Sequence, residues 1–448
     1  MSDLPDLNNC KVAILGLGYV GLPLALQIAK TKKDIKSNQN LYRYVFGFDI
    51  NKNRISELRN NNDKTGEFNK ETLKGIVNIK YTSNLNDLLS CEIFIITVPT
   101  PIDISKKPDL SFLREASKYV SYIIGEKIKF DKGIKPIIIY ESTVYPGVTE
   151  NYCIPLIEND SGLKGNIDFY YGYSPERVNP GDKVKTINDI IKLTSGSNKV
   201  AADWIDNFYA SIIKAGTYKT ENIKIAEAAK IIENTQRDIN VALINELSII
   251  FNLMDIDTLD VIDAAKTKWN FLDFRPGLVG GHCIGVDPYY LTYKAQLLGY
   301  YPEMVLSGRR INDGFAETIV NKLIKLLIKR KFVLPDSEIL ILGITFKENC
   351  SDIRNTKVLN IIENLNLFGI TIKVVDPIAN TQECEERLNL KIFSKIPNDK
   401  KYDAAILAVS HQYFCNLDIN IWKNLIKDNG ILLDIKGIIP RELNPVRL

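Results

Sequence analysis

Residues Lys11 to Leu15 (KVAIL) form a short apolar run that enters Gly16-Leu17-Gly18-Tyr19-Val20-Gly21 and continues as LPLALQIAK. A buried strand, a glycine turn and a helix in that order leave few folds open. They predict the first βαβ unit of a parallel sheet built to hold a dinucleotide. Gly16 permits the tight turn, Gly18 lets the backbone approach a pyrophosphate, and Gly21 lets helix and strand pack closely. The candidate phosphate cradle is therefore Gly16, Gly18, Tyr19, Val20 and Gly21.

The next apolar run, Tyr44 to Phe48, ends at Asp49. A carboxylate there can accept the hydroxyls of an adenosine ribose and repels a 2′-phosphate, which favours NAD over NADP. The polar stretch KTKKDIKSNQN lengthens the spacing and reads as a surface insertion. The alternative is an Asp that only caps a turn. Arg54 is open between a cofactor contact and a solvated side chain. Two further buried runs, Cys91 to Val98 and Pro136 to Tyr140, end in PTP and EST. Ligands of parallel sheets lie beyond the carboxyl ends of the strands, so Thr97 to Pro101 and Glu141 to Thr143 should face the cofactor or substrate. Thr97, Pro99, Thr100, Ser142 and Thr143 are the cofactor candidates. In the turn Tyr173-Ser174-Pro175-Glu176-Arg177, Glu176 reads equally as a site carboxylate or a surface charge.

From about Glu221 the pattern becomes one long helix, with Ile225, Ala229, Ile232, Ile239, Ala242, Leu243 and Leu247 predicted as its buried stripe. Ile231, Ile244 and Ile249 lie off that stripe and suggest a helix that also pairs with a second copy. Lys230, Asn234 and Arg237 share one face. The segment FRPGLVGGHCIGVDPYY, residues 274–290, has too many glycines and prolines for a helix or strand interior. It reads as a shaped loop. Cys283 beside Gly280 and Gly281, with Asp287 four residues on, suits a nucleophile with a polar partner. A small buried hydrophobe is the other reading of Cys283.

Beyond Pro335-Asp336-Ser337 the strand and helix rhythm returns without GxGxxG, so a second dinucleotide site is not expected. Lys347, Arg354 and Lys436 at its strand ends are placed to serve phosphates. At 448 residues the chain suffices for two or three domains. Its 57 basic and 54 acidic residues are too balanced to suggest nucleic acid or a membrane surface as partner. Seven scattered cysteines, none spaced CxxC, argue against a disulfide framework or a zinc site and for a reducing cytoplasm. Neither a signal peptide nor an apolar run long enough for a membrane span is visible.

Taken in order, GLGYVGLP, ESTVYPG, YSPERVNPGD, EAAKIIENTQRDINVALINE, GGHCIGVDPYY and GITFKENCSDIRNTK resemble the UDP-glucose/GDP-mannose dehydrogenase family over nearly the whole chain. The resemblance implies an α/β fold in three parts. These are an NAD-binding Rossmann domain (1–217), a central helical domain with a long dimerisation helix and the catalytic loop (218–330), and a Rossmann-like UDP-sugar-binding domain (331–448). By motif, Cys283 resembles the family's nucleophile, and Lys230 with Asn234 its oxyanion- and alcohol-binding pair. Thr143, Glu176 and Asp287 resemble the residues that hold the catalytic water and handle protons. Glu176, Arg177, Lys230, Asn234, Arg275, Gly280 and Lys347 are the implied substrate contacts, and no metal is implied. The implied reaction is a two-step, NAD-dependent oxidation of a sugar C6 hydroxyl through a cysteine thiohemiacetal and thioester, serving surface polysaccharide synthesis. The small Gly285 and Val286 beside the nucleophile resemble the branch acting on UDP-N-acetylglucosamine or UDP-N-acetylgalactosamine. UDP-glucose and UDP-N-acetylmannosamine remain alternatives. A single-hydride dehydrogenase would need no cysteine, and a non-catalytic nucleotide-binding protein would show no turnover.

Overall fold

The computed structural model describes residues 3–130, 133–177, 186–397 and 400–448. The backbone divides into two compact units, one formed by residues 1–233 and 289–298, the other by 234–288 and 299–448. No described helix is long and apolar enough to cross a membrane.

The first unit is built on an eight-stranded sheet: β1 (Lys11–Leu15), β2 (Tyr44–Phe48), β3 (Ile79–Thr82), β4 (Ile93–Ile96), β5 (Ile137–Tyr140), β6 (Tyr170–Tyr173), β7 (Lys192–Gly196) and β8 (Thr217–Lys219). Their spatial order is 3-2-1-4-5-6-7-8, and every pair is parallel except β6 with β7. β4 and β5 are buried at every position, as strands covered on both faces must be. Alternation sends Val12 and Ile14 to one face, against Leu22, Ala25 and Ile28 of helix Gly21–Lys30. It sends Ala13 and Leu15 to the other, with Val120, Ile123 and Ile124 of helix Ser111–Phe130. The strand order reverses at β1 and β4, and this opens a crevice at their carboxyl ends.

The second unit carries a six-stranded, all-parallel sheet: β9 (Glu338–Leu342), β10 (Thr371–Val375), β11 (Ile392–Phe393), β12 (Tyr402–Leu407), β13 (Ile426–Asp434) and β14 (Val446–Arg447), in the order 11-10-9-12-13-14. Helices Glu303–Lys329 and Val358–Asn366 cover one face through Ile319, Leu323, Ile361 and Leu365.

The helix Ile223–Leu253 corrects the stripe expected from periodicity. Ile225, Ile232 and Leu243 are 43%, 54% and 52% exposed, whereas Ile231 and Ile244, set aside for a partner chain, are buried. The inward face also carries Glu227, Lys230, Asp238, Asn245 and Ser248. Burial makes each of these polar groups demand a partner or a ligand, a demand invisible to a hydrophobic pattern.

Candidate active site

The glycine loop meets the demands of a dinucleotide. Gly16 has φ +99°, and a Cβ on Gly21 would lie 1.9 Å from the carbonyl oxygen of Gly16, so neither tolerates a side chain. A Cβ on Gly18 would meet nothing within 4 Å, which leaves an open approach to the backbone. The helix starting at Gly21 has no side-chain cap at Val20 and no acidic residue in its first turn. The N–H of Leu22 turns back to Gly18 O (3.2 Å) and Pro23 has none, so the helix offers an anion chiefly its positive dipole end. Asp49 is braced beside the loop: its Oδ2 accepts from the backbone N–H of Leu17 (2.9 Å) and its Oδ1 from that of Asn51 (2.9 Å). The residues fit NAD.

Three other candidates bond within the protein itself. Arg54 is not a solvated side chain. Its Nε donates to the carbonyl of Leu17 (2.9 Å), and its guanidinium pairs with the buried Asp63 (2.9 Å). Thr97 Oγ1 donates to Gly16 O (2.8 Å) and Ser142 Oγ to Val98 O (2.6 Å). Pro99 is exposed, and Thr100 and Thr143 are half-buried.

Glu141 requires a correction, since it was expected to face the cofactor or substrate. Its side chain is fully buried, paired with Lys192 Nζ at 2.7 Å and accepting a hydrogen bond from the Tyr209 hydroxyl. Burial raises its carboxyl above the ordinary 4.5, against the pull of Lys192. Lys192 also donates to the carbonyl of Pro175 (3.0 Å), the residue before Glu176. Glu176 is 8% exposed, so it is no surface charge. The backbone N–H of Arg177 donates to its Oε1 (2.6 Å), and the Arg177 guanidinium is paired with Glu233 (2.7 Å). Residues 178–182 of the YSPERVNPGD motif lie outside the described residues. Lys230, 7% exposed, has no ion-pair or hydrogen-bond partner among the described residues. A buried ammonium in that condition calls for a ligand or water.

In the second unit, Cys283 opens a turn whose carbonyl accepts from the N–H groups of Val286 (3.0 Å) and Asp287 (2.8 Å). Asp287 begins helix Asp287–Leu297 and is 3% exposed. Asn234 Nδ2 donates to Asp287 Oδ2 at 2.6 Å, which joins the long helix to the cysteine turn. That donation fixes the amide's orientation and turns its carbonyl oxygen away from Asp287. Of the seven cysteines only Cys283 and Cys415 are not buried. Burial pushes the Cys10 and Cys153 thiols to about 12 and that of Cys384 to about 11. These are inert packing residues. The double glycine admits close neighbours within the protein: a Cβ on Gly280 would lie 2.8 Å from the backbone oxygen of Asn355, and one on Gly281 2.8 Å from the Phe346 ring.

A cleft at the carboxyl ends of β9, β12 and β13 is lined by Thr345, Phe346, Lys347, Lys357 and Lys436 together with Gly280. Burial lowers the Lys436 ammonium below its usual range. Arg354 and Arg275 are committed elsewhere. Arg354 is held bidentately by Asp352, and Arg275 by Asp273 (2.6 Å) and Asp263 (2.8 Å).

Sequence reasoning missed three anchors. Glu227 accepts from the N–H groups of Gly147 (2.5 Å) and Thr149 (3.0 Å). Asn245 clamps the N–H (2.8 Å) and carbonyl (3.0 Å) of Gly277 in the loop that precedes Cys283. His411 is the third. All three are polar residues inside apolar patterns, a signal that a buried partner must exist elsewhere.

The first unit, with its glycine loop and bracing aspartate at a topological switch point, is that of a Rossmann dehydrogenase. The chain belongs to the UDP-glucose/GDP-mannose dehydrogenase family: the NAD binding domain matches residues 10–213, the central domain 224–314 and the UDP binding domain 340–441. It is an NAD-dependent nucleotide-sugar dehydrogenase. A UDP-N-acetyl-D-glucosamine 6-dehydrogenase of Pseudomonas aeruginosa is 49% identical over 99% of this chain and 100% of its own length. Another, from Salmonella typhi, is 48% identical over 99% of each. The structure of a UDP-D-ManNAc dehydrogenase from Pyrococcus horikoshii superposes with a TM-score of 0.81 at 28% identity, covering 96% of both chains.

Proposed function

We propose that this dehydrogenase oxidises the C6 hydroxyl of UDP-N-acetyl-D-glucosamine to the carboxylate, with Cys283 as nucleophile. The chemistry rests on one observation: Cys283 is a half-buried thiol in a turn whose Asp287 is bonded to Asn234. The choice of sugar rests on the names of relatives matching 99% of the chain. UDP-N-acetylgalactosamine, its C4 epimer, is the second reading.

When bound, NAD accepts one hydride per oxidation, so the alcohol consumes two NAD. Asn234, oriented by Asp287, accepts from the C6 hydroxyl, whose proton passes through water to Asp287 as the hydride departs in each oxidation; the Lys230 ammonium stabilises the negative charge that develops on the C6 oxygen as each nucleophile adds to the carbonyl carbon. The Cys283 thiolate adds to the aldehyde carbon, so the reactive aldehyde stays on the enzyme. A second oxidation turns the thiohemiacetal into a thioester. Water held by Thr143 and Glu176 then attacks the thioester carbon; Glu176 takes its proton, and the carboxylate leaves as the Cys283 sulfur departs. Lys347 and Lys436 provide positive charge for the UDP diphosphate, with Gly280 beside them. Arg177, held by Glu233, supports the Glu176 turn, and Arg275 serves the substrate only if it exchanges its two carboxylate partners for it. Region 1–217 serves the cofactor, 218–330 the chemistry and self-association, and 331–448 the nucleotide. The exposed stripe of Ile225, Ile232, Leu243 and Ile250 supports a homodimer through the long helix. We place the enzyme in the cytoplasm, supplying an acidic sugar for surface polysaccharide.

The test is a panel of UDP-sugars with NAD. A pocket built for an acetamido group leaves amide-binding groups unpaired when offered a hydroxyl, at about 1–3 kcal/mol each, or roughly tenfold or more. The kcat/KM for UDP-N-acetylglucosamine should exceed that for UDP-glucose by that margin. Preference for UDP-glucose overturns the substrate and leaves the family standing.

A further inference from the structure

The two sheets share a construction that the missing second GxGxxG conceals. In the first unit Leu15 pairs with Phe48, the N–H of Gly16 donates to Phe48 O (2.9 Å), and Asp49 accepts from the next N–H, that of Leu17. In the second unit Leu342 pairs with Val375, the N–H of Gly343 donates to Val375 O (2.8 Å), and Asp376 Oδ2 accepts from the next N–H, that of Ile344, at 2.7 Å. Gly16 and Gly343 have φ of +99° and +93°. Asp376 therefore occupies the place of a ribose-binding carboxylate.

The environments differ. Asp49 is half-exposed, whereas Asp376 is fully buried. Its Oδ1 accepts from the N–H groups of Ile378 (2.9 Å) and Ala379 (2.8 Å), and its Oδ2 lies 3.0 Å from Nε2 of His411, itself fully buried. No acceptor capacity remains for a sugar diol. The other ring nitrogen is also engaged, because Nδ1 accepts from the N–H of Asn349 at 3.0 Å. That geometry puts the ring proton on Nε2, where it serves Asp376; Nε2 itself lies 3.1 Å from Thr345 Oγ1. Thr345 Oγ1 in turn donates to the carbonyl of Lys347 (2.9 Å), and Asn349 Oδ1 accepts from the N–H of Gln412 (2.9 Å). The loop 345–349 is wrapped around one imidazole.

We propose that His411 is a positioning residue for nucleotide binding: it turns a would-be ribose carboxylate into a fixed post that holds the loop carrying Lys347. The inference rests on the reading of Lys347 as a contact of the UDP moiety. It explains why a sheet with the start of a dinucleotide site binds its nucleotide through lysines, with the strand-end carboxylate sealed.

The test is a mutant cycle in the full-length protein, with calorimetric titration of UDP and, separately, of NAD. His411→Gln keeps a donor near Asp376 and loses the acceptor for Asn349; it should weaken UDP about tenfold and leave NAD affinity unchanged. His411→Asn, whose Oδ1 stands where Nδ1 stood, should recover part of that loss. His411→Gln combined with Lys347→Ala should bind UDP little worse than Lys347→Ala alone, since both act through one contact. Losses that multiply in the double variant, or equal weakening of NAD in His411→Gln, overturn the inference. If Lys347→Ala leaves UDP affinity intact, the lysine assignment fails and the inference falls with it. If Lys347→Ala weakens UDP and His411→Gln does not, only the inference falls.

Discussion

Replacing Lys192 by Met tests the buried charge system beneath Glu176. The Lys192–Glu141 pair is 2.7 Å long, with side chains 4% and 0% exposed, so solvent gives no screening. Removing one partner leaves a buried carboxylate whose remaining donor is the Tyr209 hydroxyl, at a cost of about 3–5 kcal/mol. For a unit of this size each kcal/mol lowers Tm by about 2–4 °C, so calorimetry should show a drop of roughly 6–20 °C. The penalty also has a pH direction. Burial already raises the Glu141 carboxyl, and losing the ammonium raises it further. A raised folded value means that stability is present at low pH and lost as pH rises through it, so the deficit should be larger at pH 8 than at pH 5.5. Lys192→Met with Glu141→Gln should recover most of the loss, because no charge is then stranded. A single variant within about 2 °C of the parent, or a double variant no better than the single, would refute the reasoning.

Glu227, fully buried, is raised from 4.5 to about 7 chiefly by burial, so its contribution to stability is complete below pH 4.5 and lost as pH rises through 7. That difference is on the order of 3 kcal/mol, and the stability curves of parent and Glu227→Gln should diverge by about that much between pH 5 and 8; parallel curves would contradict it. Asp49→Asn should erode the preference for NAD over NADP by about tenfold in kcat/KM, and an unchanged ratio would show that Asp49 only braces the loop. Ile232→Glu with Leu243→Glu should convert a sedimenting dimer to monomer, whereas a parent that is already an active monomer removes the helix interface.

Residues whose task depends on local geometry were legible in the sequence. The GLGYVG turn requires its glycines within one strand, loop and helix, and Asp49 follows directly from the strand pairing it ends. The inward face of the long helix was misread because apolar periodicity cannot say which stripe meets its own chain. Here the inward face carries Glu227, Asp238 and Asn245, each bonded to a distant residue. Glu141 was misplaced for the same reason: Lys192 stands 51 positions away and no spacing rule joins them. Cys283 and Asp287 were legible as neighbours in one loop, but Asn234 as the partner of Asp287 emerges only when helix and loop are packed. His411 and Asp376 escaped notice because the second glycine loop lacks its signature while its backbone geometry survives.

The central claim is that one site carries a primary alcohol through two oxidations on Cys283. The most direct measurement is the number of NADH formed per UDP-N-acetylglucosamine consumed to completion, read at the NADH absorbance band with the sugar product identified by mass. The account predicts two NADH and the uronic acid for each sugar. One NADH with an aldehyde product, or no NADH at all, would contradict it.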